Sequence, residues 1–137
     1  MHGFEDVTLS WGGKDFVVPA SRQLMLIAKI EDALGGDTGE QAVAVLFRKN
    51  GPPHSRLAMA YGAAMRYAGA SVTDDQVYLT IHEDIANKSA AAVQGTIQTM
   101  LAGLLAIISP PTSRALSGRS AADDADGKKL EEPDLSA

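Results

Sequence analysis

The stretch "VTLSWGGKDFVV", residues 7–18, decides how the chain begins and what the remainder must cover. Val7, Leu9 and Trp11 alternate with Thr8 and Ser10, the period of a half-buried strand. Gly12-Gly13 supplies the positive φ angles of a two-residue hairpin loop. That loop sets Trp11 opposite Lys14, Leu9 opposite Phe16 and Val7 opposite Val18, so these six residues share one face. A lone hairpin is marginal in water, so this face predicts a helical layer for it to rest on.

The rest of the pattern is helical. In "SRQLMLIAKIEDALGG", residues 21–36, Ser21 is the expected N-cap. Leu26, Ile27, Ile30, Ala33 and Leu34 recur on one face, and Gly35-Gly36 ends the helix. A shorter helix is expected over roughly 39–49, stopped by Asn50-Gly51 and Pro52-Pro53. Ser55 is the expected cap of "RLAMAYGAAMRYAG", whose stripe is Leu57, Tyr61, Ala64, Met65 and Ala68. Its only charges are Arg56 and Arg66, which predicts cover on more than one side. Thr73 with Gln76 makes a capping box for a fourth helix reaching about His82–Ile85. The last helix, over 88–108, carries Val93, Ile97, Met100, Leu101, Leu104 and Ile108. Its second stripe, Thr96, Thr99, Gly103 and Ala106, is small enough to admit another helix closely, and Pro110-Pro111 closes it.

From Thr112 onward the chain has Ser, Ala, Gly and charge but few large apolar residues, with a net charge of −2. Such a segment cannot bury enough surface to offset chain entropy. The expected fold is therefore mainly α (α+β). A hairpin packs on a bundle of four to five helices over 1–110, and 111–137 form a disordered acidic and polar tail.

The bulk properties narrow the function. At 137 residues the chain is one domain of ordinary size, 45% hydrophobic and 21% charged. The net charge of −5 shows no basic footprint for nucleic acid. The absence of cysteine excludes disulfides, thiolate metal sites and thiol catalysis. "MHGFEDVTLS" lacks the basic flank and apolar run of a signal peptide. The longest apolar stretch, "IQTMLAGLLAIIS" at 97–109, is shorter than the about 20 residues of a spanning helix. A soluble cytoplasmic protein is expected.

Candidate chemistry is sparse. His82-Glu83-Asp84 offers two metal-binding residue types, but no histidine follows His82 by four residues, so the zincin pattern fails. His2 and His54 lie in a terminus and a Pro-rich loop. Glu31-Asp32 and Asp74-Asp75 are adjacent on helices and point about 100° apart, so neither pair converges on one substrate atom. No serine stands in a nucleophile elbow, and "WGGKD" and "LGGDTGE" match no phosphate-binding loop. Neither catalytic residues nor a cofactor nor a metal is assigned. What remains is apolar: the third and last helices offer more nonpolar surface than a small domain readily hides, which points to contact with another chain.

The order of elements then becomes familiar. The strand–Gly–strand opening is followed by Arg22 with Leu26, Ile30-Glu31 and Leu34-Gly35, then by Ala68-Gly69, Val72 and Asp75–Val77. Over roughly residues 5–108 this resembles the tail assembly chaperone family of long-tailed bacteriophages. It is closest to the branch of prophages and gene transfer agents, sometimes labelled tail tube proteins. The "GPPHS" loop and the "HED" segment lie outside the family pattern. The resemblance implies a non-enzymatic factor that coats the helical tape measure protein, and engages tail tube protein, during tail morphogenesis. The partner-binding residues expected on this basis are Arg22, Leu26, Ile30, Leu101, Leu104, Leu105 and Ile108, with a homo-oligomer as a further option. Nucleic acid, membrane and small-molecule substrate are not expected. The alternatives are a virion structural protein (tail tube, tail terminator or head–tail connector) and a small helical regulatory protein.

Overall fold

Alternation in 7–18 and the Gly-Gly turn produce the expected ribbon. The computed structural model describes residues 3–36 and 39–117. In it β1 (Val7–Trp11) pairs antiparallel with β2 (Lys14–Val18), in the register Val7–Val18, Leu9–Phe16 and Trp11–Lys14. Gly12 and Gly13 have φ of 60° and 79°, so the turn needs two residues free of a Cβ clash. Leu9 and Val18 are buried, and Val7, Trp11 and Phe16 are partly buried against the same core.

Five helices follow: α1 (Gln23–Gly35), α2 (Ala42–Leu46), α3 (His54–Tyr67), α4 (Asp74–Asn87) and α5 (Ala90–Ile108). α3 packs against α1 on one side and α4 on the other, while α5 touches β1 and all four other helices. The stripes follow the sequence pattern. Leu26, Ile27, Ile30, Ala33 and Leu34 of α1 are buried, as are Leu57, Tyr61, Ala64 and Met65 of α3. Ala58, Ala60 and Gly62 are buried too, so α3 is covered on more than one side as expected.

The small stripe of α5 admits a strand residue as well as the expected helix. A Cβ placed on Gly103 would lie 2.8 Å from Leu9 Cδ2. The notch therefore receives a strand residue, with Tyr61 Cε1 of α3 3.9 Å from the same point. Beside it the Tyr61 hydroxyl donates to the Ser10 carbonyl at 3.0 Å, and the Trp11 and Tyr61 rings lie 6.2 Å apart. The Gly103 notch and the hydrogen bond from α3 thus seat the hairpin, besides the burial of Leu9 and Val18.

Several boundaries differ from the sequence reading, each for a physical reason. Ser21 does not cap α1. The N-cap is Arg22, in the left-handed region with φ 60°, and no side chain caps it. The Gln23 amide donates instead to the Glu5 and Pro19 carbonyls, at 2.9 and 3.0 Å, which pins the first helical residue to the strand ends. Ser55 does not cap α3 either, because the extended Pro53 precedes a helix that already includes His54. α2 is only five residues long, since its AVAVL core is flanked by the extended Gln41 and the turn at Phe47. α4 runs past the expected end to Asn87, where Lys88 pairs with Asp84 at 3.3 Å.

Pro110-Pro111 ends α5 and also begins a further helical segment over 110–117. Proline fits a first turn because the N–H it lacks has no partner there. Leu116 packs on the core, and Arg114 reaches Glu5 at 3.3 Å. Residues 111–117, assigned to the tail from composition, thus belong to the folded unit; the expectation for 118–137 lies outside the described residues. α5 also exceeds the apolar stretch counted at 97–109. Its 19 residues, with mean hydropathy 1.6, make it long and apolar enough to cross a membrane by length and composition. Its C-terminal half is built into the core through Met100, Leu101, Leu104, Leu105 and Ile107.

Two measurements check this packing. Gly103→Val forces a branched side chain into the space of Leu9 and should lower unfolding free energy by about 2 kcal/mol in urea titrations. Burial raises the pKa of the Tyr61 hydroxyl. A raised folded-state value means this contribution is intact below the unfolded tyrosine pKa of about 10 and is lost as pH rises through the folded one. Stability should therefore fall above about pH 10, with a shallower slope in Tyr61→Phe.

Candidate protein-binding face

The clearest candidate surface lies between α3 and α4. α3 ends in a Schellman motif: the Ala70 N–H bonds the Met65 carbonyl and the Gly69 N–H bonds that of Arg66, both at 3.0 Å. Gly69, with φ 100°, makes this reversal without strain. Thr73 and Gln76 then form the capping box read from sequence, with bonds of 3.1 and 2.8 Å. These two local devices return α4 alongside α3. The crossing is close because Gly62 has no side chain: a Cβ there would collide with Asp74 Oδ1. Arg66 bonds Asp74 at 2.8 Å and the Val72 carbonyl at 3.1 Å, locking the corner.

On the outer side of this pair is a groove of about 410 Å³ lined by Ser55, Ala58, Met59, Asp74, Asp75, Tyr78 and Leu79. Val77 and Ile81 of α4 point into the core, which leaves Leu79 60% exposed. Met59 and Tyr78 are also exposed. Three large apolar side chains from two rigid helices thus meet at a concave, acid-rimmed surface. The other exposed apolar groups, Phe4, Val17, Leu24, Met25, Phe47 and Ile85, lie outside this groove. Leu24 and Met25 are neighbours on the first turn of α1, and Phe47 stands beside Arg48 at the mouth of a separate cleft between α2 and α5. Arg48 itself is paired with Glu40, which raises the guanidinium pKa.

The residues expected from the family resemblance are placed mostly elsewhere. Leu26, Ile30, Leu101, Leu104 and Leu105 are buried core, and Ile108 is partly buried against it. Leu26, Ile30 and Leu104 are closed off in the folded domain, whereas Leu101 and Leu105 line the cleft between α2 and α5. Their apolar spacing registered the inward face of α1 and α5, and periodicity alone does not say which side is covered. Arg22 is exposed, with its guanidinium 3.9 Å from Met25 Sδ. Its carbonyl and that of Ser21 both receive the Tyr67 hydroxyl, at 3.0 and 3.1 Å.

The tempting polar groups do not converge. His82 turns toward His54, Asp84 pairs with Lys88, and Glu83 is exposed. Glu31 and Asp32 are both on the surface. Among the described residues no three of His, Cys, Asp or Glu are grouped to hold a metal ion. Sequence reasoning missed the His54–His82 approach, since these residues are 28 positions apart and only the packing of α3 on α4 joins them.

No protein-family model, curated protein or solved structure matches the chain.

Arg22 offers a direct check on the start of α1. A left-handed non-glycine residue costs roughly 1–2 kcal/mol. Arg22→Val, β-branched at that φ, should lower stability by about 1 kcal/mol or more, whereas Arg22→Gly should not lower it measurably. Equilibrium urea unfolding of the three proteins distinguishes these outcomes.

Proposed function

We propose that the protein is a non-enzymatic assembly factor, a phage tail assembly chaperone that binds the tape measure protein through the α3–α4 groove. The observation that carries this reading is the grouping of Met59, Tyr78 and Leu79 at one concave surface, outside a core that already takes Leu26, Ile30 and Leu104. Exposed apolar residues collected on rigid helices suit docking of an amphipathic helix, whose anchors recur every three or four residues. The family resemblance supplies the particular partner, a long and largely helical protein.

The energetics fit a transient role. Burying a large apolar side chain fully is worth about 1.5–3 kcal/mol, and association entropy removes much of the sum. Three anchors therefore support an exchangeable complex, which a chaperone requires if tube subunits are to replace it. Asp75 at the rim, beside the Asp74 already paired with Arg66, favours a partner helix with basic residues flanking its apolar stripe.

The experiment is binding of purified tape measure protein by isothermal titration calorimetry. Met59→Glu and Leu79→Glu should each weaken affinity by about tenfold or more, as expected for charge placed at a buried anchor. Phe47→Glu, on the α2–α5 side, should leave it unchanged. Equal affinity in all four proteins, with native circular dichroism, would overturn the proposal.

A further inference from the structure

Two histidines that the binding groove does not use face each other across the α3–α4 pair. His54 is the first residue of α3, and His82 lies in the third turn of α4. His54 Nδ1 is 3.4 Å from His82 Nε2, the ring centres are 5.3 Å apart and the planes are inclined at 69°. At 3.4 Å the two nitrogens stand at the long limit of a hydrogen bond, beyond the roughly 2.7–3.2 Å usual for N–H···O. Two imidazoles on one tetrahedral zinc, each with Zn–N of about 2.0–2.1 Å, instead hold their nitrogens about 3.4 Å and their ring centres about 5.3 Å apart. Both separations match the shared-ion geometry. Nitrogens 3.4 Å apart on collinear rings would place the centres farther apart than 5.3 Å.

We propose that His54 and His82 form a two-histidine clasp for a borderline divalent cation, zinc above all, joining the start of α3 to α4. Imidazole nitrogen is a ligand suited to zinc, while magnesium and calcium take oxygen. The ring of Tyr78 lies 4.4 Å from that of His82 at 32°, which restricts the rotation of one ligand. Arg48 lines the same hollow, but its charge is matched by Glu40. Among the described residues no third protein ligand joins the pair, so water completes the coordination and affinity is modest. The positive end of the α3 dipole beside His54 lowers it further.

The test is thermal unfolding of the full chain at neutral pH with zinc chloride up to millimolar concentration. Zinc should raise the Tm by about 4 °C or more, as for a ligand well above its Kd that binds only the folded state. Magnesium should have no effect. His54→Ala and His82→Ala should each abolish the shift, while His2→Ala should retain it. Imidazole nitrogen NMR of the unaltered protein adds a readout that needs no variant: zinc should move the ring signals of His54 and His82 together. Absence of any shift in Tm and in these ring signals, or a Tm shift that survives in the His54→Ala/His82→Ala protein, would overturn the proposal.

Discussion

Leu9 seated in the notch at Gly103 is the contact on which the remaining packing depends. A two-stranded ribbon has too little surface to persist alone, so one of its faces must be buried by something already ordered. Glycine at 103 lets the α5 backbone come within reach of a strand side chain, and the Tyr61 hydroxyl holds the neighbouring Ser10 carbonyl from α3. Once the ribbon lies across α3 and α5, the start of α1 is set as well. Gln23 binds carbonyls at both ends of the hairpin, Glu5 before β1 and Pro19 after β2. Its Oε1 stays buried without a hydrogen-bond partner, so this junction is built at an electrostatic cost.

That arrangement decides which apolar residues are left over. The inward stripes of α1, α3 and the second half of α5 are consumed by the core, and α4 contributes only Val77 and Ile81. α4 sits at the edge of the bundle, held by its cap, by Gly62 and by the Arg66–Asp74 pair. An edge helix with a narrow buried stripe leaves Tyr78 and Leu79 outside, where Met59 of α3 joins them. The functional proposal and the zinc proposal both arise from this one helix pair, and Tyr78 takes part in each. The first rests on apolar surface and the second on the separation of two imidazoles.

Local features were legible in the sequence, and long-range ones were not. The hairpin register, the capping box at Thr73 and the glycine end of α1 depend on residues within a few positions of each other. Caps at Ser21 and Ser55 were misread because serine before a helix is only a preference. At both sites neighbours override it: Gln23 anchors one start, and Pro53 sets the other. Pro110-Pro111 reads as a stop, and only Leu116 meeting the core shows that it is also a start. The candidate site was the least legible. Leu26, Ile30 and Leu104 look like contact residues until tertiary packing shows which faces meet, and the surface apolar residues Met59 and Leu79 follow no stripe.

The central claim is that this surface is where a helical partner docks. Amide hydrogen exchange of the protein, free and bound to tape measure protein, tests it most directly. The account predicts slowed exchange concentrated in α4 and the first turns of α3, with β1, β2 and α1 unchanged. Protection centred on the hairpin or α1, with α4 exchanging as in the free protein, would contradict it.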